Sequence, residues 1–187
     1  MTTATDNRAA ALATPLRTLY LARFGFALAW AALLAATAST IGPVSIALLL
    51  LYPLIDLAAA VIDHRASRAT RPAPLLFVNM GLSSLAVVGL VFAVGSGLRA
   101  VLIVWGLWAI TAGAVQLAVA VTRRSLGGQW PMILSGGISV LAGTGFLLQS
   151  GGSSASLVGL AGYATLGGLF FLLSALRLRR VSTGRDR

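Results

Sequence analysis

The chain contains no cysteine, no lysine and no glutamate, and its only histidine is His64. Without cysteine it can form neither a disulfide framework nor a thiolate nucleophile or metal ligand. Its only side-chain carboxylates are Asp6, Asp56, Asp63 and Asp186. Catalysis by paired carboxylates, by a nucleophile with its base or by a bound metal therefore has few residues available. The sequence predicts no enzyme, no metal site and no cofactor.

Charged residues of any kind are scarce, at 10% of 187 residues, whereas 58% are apolar and the mean hydropathy is +0.92. A soluble domain is about 45–50% apolar and about 25% charged, so lipid is the better solvent for this chain. The net charge of +10 would suggest nucleic acid in a soluble protein. Because the arginines fall between long apolar runs, we expect anionic lipid headgroups as their partner and no nucleic acid.

Six apolar runs are long enough to cross a bilayer, which takes about 20 residues each. The sequence therefore predicts an all-α membrane bundle of six transmembrane helices, over residues 19–40, 41–62, 75–95, 100–122, 130–149 and 155–176. Thr14-Pro15 is typical of a helix cap followed by a first-turn proline. We expect a disordered cytoplasmic tail over 1–14, one six-helix domain over 15–180 and a basic cytoplasmic tail over 181–187.

The arginines lie almost entirely on one side of these spans. Only Arg99 falls on the opposite side, and Arg23 falls inside helix 1. The positive-inside rule then places both termini in the cytoplasm. The other arginines share that side: Arg8, Arg17, Arg65, Arg68, Arg71, Arg123, Arg124, Arg177, Arg179, Arg180, Arg185 and Arg187.

The first run also has features of a signal peptide. Arg8 and Arg17 precede it, and Ala36-Thr37-Ala38 near its end is a small-residue pattern of the kind cleaved by signal peptidase. Signal-peptide apolar cores are about 7–15 residues long, and this run has about twenty. We therefore favour an uncleaved first helix.

The helical hairpin is repeated. Helices 2, 4 and 6 end at similar basic motifs, around Arg65, Arg124 and Arg180, which are 59 and 56 residues apart. Three helical hairpins in one orientation would build a compact bundle. Small residues that recur on one helix face let helices approach closely in lipid. Those predicted to pack helices together are Gly89, Ala93, Ala109, Gly113, Ser139, Gly143, Ala164 and Gly168. The bundle could also pair with a second copy or another membrane protein.

Two stretches carry a family resemblance. They are the run from Trp105 to Gln116 and the run from Leu134 to Gly143, joined through Arg123-Arg124 and Gly127-Gly128-Gln129-Trp130. Over residues 100–150 the chain resembles the family of HdeD, a bacterial acid-resistance membrane protein. The resemblance implies a small bacterial inner-membrane protein linked to acid or envelope stress. The first hairpin, with Tyr52-Pro53-Leu54-Ile55-Asp56, departs from the family pattern.

Five polar residues fall at one depth, in the third of the bilayer nearest the cytoplasm. They are Arg23, Asp56, Asn79, Gln116 and Ser135, on five different helices. Ionisable residues inside a span are costly and are candidates for function. We expect Arg23 and Asp56 to pair, with the other three meeting their remaining hydrogen bonds. Three interpretations of the layer stay open: a structural clasp, a snorkelling arginine, and a solute or proton site.

The function favoured by the sequence is a non-enzymatic membrane protein with a structural or stress-protective role. The alternative is a conduit for a small solute or protons through the polar layer around Asp56. Transporters usually show broken helices near the middle of the membrane. Here only Pro53, just before Asp56, suggests such a break.

Overall fold

Six α-helices make up almost all of the computed structural model, which describes residues 2–67, 74–126, 129–152 and 155–183. They are α1 (Thr2–Thr37), α2 (Pro43–Ser67), α3 (Pro74–Ser96), α4 (Leu98–Thr122), α5 (Trp130–Ser150) and α6 (Val158–Thr183), with a short 3-10 turn at Arg124–Leu126. Each α-helix contains a span long and apolar enough to cross a membrane. The described residues contain no strand, so the all-α, six-span fold is confirmed and the protein is an integral membrane protein.

Helix α1 starts much earlier than the sequence predicts. It begins at Thr2, so the residues expected to form a disordered tail continue the helix, and Pro15 lies inside it rather than in its first turn. Residues 4–13 include five alanines and a leucine, which have the highest helix propensities. Pro15 removes only one backbone donor. At the other end, α6 continues to Thr183, beyond the predicted span.

Some predicted features lie outside the described residues. These are Arg68, the Arg71-Pro72-Ala73 part of the longest loop, the Gly127-Gly128 and Ser153-Ser154 turns, and the last part of the basic tail, 184–187.

The six helices form a closed ring. Each helix packs against its neighbours in the sequence, and α6 returns to pack against α1. The most extensive packing joins α4 to α5 and α1 to α6, which are contacts between successive hairpins. The ring is compatible with the predicted threefold use of a hairpin. It also leaves a central space towards which all six helices contribute side chains.

Glycines hold α4 and α5 together at two levels. A Cβ atom built on Gly143 would lie 2.5 Å from the Gly106 carbonyl oxygen, and one on Gly106 would lie 2.8 Å from the Gly143 carbonyl oxygen. Gly113 and Gly136 face each other in the same reciprocal way, at 2.9 and 2.8 Å. Each helix repeats the contact after seven residues, or about two turns. Only glycine permits this backbone approach.

The residues predicted to pack helices together lie at such interfaces. Gly113, Ser139 and Gly143 lie between α4 and α5, where a Cβ on Gly113 would meet the Ser139 Cβ at 2.5 Å. A Cβ on Gly89 would lie 3.3 Å from Val104 of α4, and one on Gly168 would lie 3.1 Å from the Ala27 Cβ of α1. The other three are buried: Ala93, Ala109 and Ala164. Gly106 and Gly136 complete the α4–α5 contact and are absent from the predicted set.

The two ends of the ring hold apolar clusters of different extent. We call the end where α2, α4 and α6 terminate the arginine-rich end. Near it lies a small apolar cluster that includes Leu16, Tyr20 and Phe171. The larger cluster fills the opposite half with tryptophans and leucines. On the outside of the ring, large apolar side chains are exposed, as expected for a surface solvated by lipid.

Candidate functional site

A cavity of about 90 Å³ lies in the centre of the ring, in the half nearest the arginine-rich end. All six helices contribute to its wall, from Tyr20 and Arg23 on α1 to Tyr163 and Phe171 on α6. A water molecule takes up about 30 Å³ in the liquid, so the cavity has room for about three waters. Its wall is polar enough to hold them, because charged, amide and hydroxyl groups face it.

All five residues of the predicted polar layer line this cavity. The structure pairs Arg23 with Asp56 through an Nη2–Oδ1 contact. Asn79 donates from Nδ2 to the other carboxylate oxygen of Asp56, at 2.8 Å. Gln116 donates to the Met132 carbonyl oxygen at 3.3 Å instead. The structure therefore forms the predicted ion pair, and of the three residues expected to bond to it, Asn79 does so.

Ser135 lies on the α5 part of the wall and is buried. Its backbone carbonyl accepts a bond from the Ser139 hydroxyl at 2.9 Å. The Tyr163 hydroxyl of α6 in turn donates to the Ser139 oxygen at 3.0 Å. Ser135 thus belongs to a second polar group, across the cavity, that joins α5 to α6.

The sequence reasoning missed two members of the Asp56 cluster. The Ser83 hydroxyl donates to Asp56 Oδ2 at 2.9 Å, and the Trp108 indole N–H donates to the Ser83 oxygen at 3.2 Å. Ser83 lies four residues after Asn79 and so shares its helix face, a signal that was available in the sequence. With these bonds the cluster connects α1, α2, α3 and α4 through one carboxylate.

Arg23 has a second contact, with an aromatic ring. Its guanidinium carbon lies 4.3 Å from the centroid of the Phe171 ring on α6, a cation–π arrangement. The side chain is 20% exposed and faces the cavity. Arg23 thus lies between Asp56 and Phe171 and is directed into the ring, which differs from a side chain that snorkels to the headgroups.

A second ion pair lies in the cavity wall, nearer the arginine-rich end. Arg123 Nη1 is 2.5 Å from Asp63 Oδ2. The sequence places Arg123 between helices 4 and 5, on the side that it predicts to be cytoplasmic, and the structure buries this residue to 2% exposure. The Tyr20 hydroxyl lies beside it. Asp63 follows Asp56 by seven residues of α2, which is about 10 Å along the helix. Both carboxylates line the cavity, so paired charges occur at two levels of one wall.

An aromatic layer closes the cavity at its deep end. We define this layer as Trp30, Tyr52, Trp105 and Trp108. The Tyr52 ring centroid lies 4.7 Å from that of Trp30, 5.5 Å from that of Trp105 and 5.9 Å from that of Trp108. Trp30 also donates to the Leu48 carbonyl oxygen at 2.6 Å. Tyr52 lies one helical turn from Asp56, so the layer packs directly beyond the first ion pair.

The other conspicuous polar residue is His64. Its ring packs against Phe77, with centroids 4.8 Å apart. Across the part of the chain that the structure describes, no three potential metal ligands lie together. The geometry of the site is therefore that of two ion pairs and a set of amides and hydroxyls around a small cavity.

Comparison with protein-family models, with curated proteins and with solved structures found no match. The class of the protein is thus defined by its own fold and site. It is an integral membrane protein in which a ring of six helices encloses a polar cavity.

Proposed function

We propose that this is a non-enzymatic protein of the bacterial inner membrane with a structural or stress-protective role, which includes survival of acid exposure. The observation that carries the proposal is that the Asp56 carboxylate accepts hydrogen bonds from three side chains, those of Arg23, Asn79 and Ser83. A carboxylate tied in this way suits a clasp better than a catalytic acid or base. The resemblance to HdeD supports the stress role, since it covers the two stretches that build the glycine contact between α4 and α5.

The clasp would act by holding four helices in one register. Each bond of the Asp56 cluster crosses from one helix to another, and Trp108 extends it to α4. Removing one partner of a buried ion pair typically costs about 3–5 kcal/mol, because the other charge loses its compensation. A ring held by such bonds resists loss of helix packing when the membrane is stressed.

A deletion strain tests the protective role. We expect it to survive acid shock less well than the parent, and a plasmid copy to restore survival. Asp56→Asn should restore less, because an amide no longer compensates Arg23. Ser84→Ala is the matched control, since that hydroxyl is exposed and bonds only within its own helix, to the Met80 carbonyl oxygen. Equal survival of the deletion strain and its parent would refute the protective role.

The proposed orientation places both termini and the arginine-rich end in the cytoplasm, next to anionic headgroups. The twelve arginines that the sequence assigns to one side support it. Reporter tags at residues 68 and 125 should appear on the same side as a tag on the C-terminal tail. A tag that appears on the other side would contradict the orientation and the pairing of the helices.

A second candidate function is a conduit for a small solute or protons, and the cavity specifically favours it. The cavity reaches Asp56, Gln116 and Ser135 together. Pro53 lies inside α2 beside the aromatic layer and leaves one helical carbonyl without its backbone donor. In proteoliposomes, a proton or solute flux that Asp56→Asn abolishes would support the conduit. Tight vesicles with correctly folded protein would refute it.

A further inference from the structure

We infer that the cavity is a water-filled binding site, reached from the arginine-rich end only, for a small polar solute that carries no net charge. Zwitterions and uncharged polar molecules form this class. The inference rests on the same cavity as the second candidate function. It requires neither transport nor acid protection, because a bound solute can stabilise a closed ring without crossing it.

Access from one end follows from the side chains at the two ends of the cavity. At the arginine-rich end its wall is made by Asp63, Arg123 and Gln129, from the last turns of α2 and α4 and the start of α5. These polar groups lie at the edge of the predicted spans, where water is near, and they are themselves mostly buried, with Arg123 and Gln129 at 2% and 3% exposure. The cavity is partly open rather than sealed.

At the opposite end, the described residues that close the cavity are aromatic rather than charged. Tyr52 and Trp108 line the deep end of the cavity, and Trp30 and Trp105 pack behind them. Beyond the aromatic layer lie leucines that are almost wholly buried: Leu34, Leu49, Leu90, Leu102 and Leu160. Water that enters at the arginine-rich end therefore stops at the aromatic layer.

The balance of charge in the wall determines the class of solute. Among the residues that the structure describes, two arginines and two aspartates line the cavity, and they pair as Arg23 with Asp56 and Arg123 with Asp63. A solute with a net charge would add an uncompensated charge at low dielectric, which is costly. A zwitterion or an uncharged polar solute avoids that cost.

The size and the polar groups of the cavity are consistent with such a solute. The cavity of about 90 Å³ holds about three waters, and because it is partly open, a larger solute can extend from it towards the arginine-rich end. A guanidinium has five N–H donors, and Arg23 uses one of them to bond to Asp56. Arg23 therefore retains donors for a carboxylate or carbonyl group of a solute. The aromatic rings of Tyr52 and Trp108 at the deep end suit an ammonium or methyl group.

The absence of natural cysteine makes the proposal directly testable by thiol labelling. Ser135→Cys places one thiol in the cavity wall at little cost in shape. Leu134→Cys is its matched control, because Leu134 is the preceding residue, at nearly the same depth, but 53% exposed on the outside of the ring. N-ethylmaleimide, a small neutral reagent, reacts with the thiolate and so reports contact with water. Gln116→Cys serves as a second cavity position on α4.

We expect N-ethylmaleimide to label Ser135→Cys and Gln116→Cys in membrane vesicles and to leave Leu134→Cys unmodified. Glutathione trapped inside the vesicles destroys reagent that crosses the bilayer. Labelling should therefore persist when the C-terminal tail faces outwards and disappear when it faces the glutathione. If both cavity cysteines stay unlabelled, or are labelled only in the reverse orientation, a water-filled cavity reached from the arginine-rich end is refuted.

The charge class is tested with four solutes of one shape: glycine betaine, choline, 3,3-dimethylbutanoate and 3,3-dimethylbutanol. We expect the zwitterion betaine and the neutral alcohol to slow labelling of Ser135→Cys, by about tenfold at ten times their Kd. The cation and the anion should protect much less. Equal protection by all four refutes the charge argument, and protection by none refutes a solute site. Labelling and protection without flux would refute only the conduit.

Discussion

The glycine contact between α4 and α5 gives the sharpest prediction, because adjacent glycines in one helix have opposite surroundings. A Cβ on Gly136 would lie 2.8 Å from both the Gly113 carbonyl oxygen and the Leu117 amide nitrogen. A Cβ on Gly137 would meet nothing within 4 Å. Gly136→Ala should therefore destabilise the ring, whereas Gly137→Ala should not.

The size of the effect follows from these distances. An ordinary Cβ contact begins at 3.4 Å, so the helices must separate by about 0.6 Å (3.4 minus 2.8) at Gly136. The obstacle is backbone, which cannot rotate away as a side chain can. Overpacking of this kind costs about 1–3 kcal/mol. Both changes gain the same helix propensity, up to about 1 kcal/mol, so the difference between the two variants isolates the contact.

The measurement is reversible unfolding in mixed micelles, followed by the fluorescence of the four tryptophans. We expect the free energy of unfolding of Gly136→Ala to be about 1–3 kcal/mol below that of Gly137→Ala. Equal unfolding midpoints for the two variants would show that α4 and α5 do not approach closely at Gly136. The ring closure described above would then be wrong on that side.

Three further predictions concern the polar groups. Arg23→Asp and Asp56→Arg should each abolish the yield of folded protein. The double exchange should restore the yield only in part, because Asn79 and Ser83, which now donate to the carboxylate, would then face a cation. A double variant with no better yield than the single variants would refute the ion pair. Arg123→Gln should destabilise the protein by about 3 kcal/mol through loss of its aspartate partner, while Arg124→Gln, at an exposed position, should melt like the parent protein. Ser83→Ala should cost about 1–3 kcal/mol because it removes a bridge between an indole and a carboxylate, and the same change at the exposed serine that follows should have little effect; equal thermal stability of the two would argue against the bridge.

The membrane fold could be predicted from the sequence because its signal does not depend on how each helix is rotated. Six runs of sufficient length and low charge predict six helices whichever face points inwards. The equal depth of Arg23 and Asp56 in the bilayer could be predicted too. A rise of 1.5 Å per residue converts the number of residues to the end of each helix into a depth. The structure places these two residues in contact. It also extends α1 to Thr2, because alanine-rich segments form helix whether or not they lie in lipid.

Rotation about the helix axis is what the sequence could not give. In a soluble bundle the polar face identifies the outside, but here both the lipid-facing and the inner face are apolar. Gln116 and Asn79 lie at matching depths, yet only Asn79 bonds to Asp56. For the same reason the sequence assigned Arg123 to a side of the membrane but could not show that it lies inside the ring, paired with Asp63.

The cavity lies where the apolar filling of the ring gives way to polar side chains. Glycine contacts draw α4 and α5 together at two levels two helical turns apart, between Gly106 and Gly143 and between Gly113 and Gly136, so this pair approaches closely in both halves of the bundle. In one half, tryptophans and leucines fill the centre. In the other half the wall combines alanines such as Ala59 and Ala60 with the polar groups around Asp56. Asp56 therefore lies where the continuous apolar filling ends, beside the space that we propose water and a polar solute occupy.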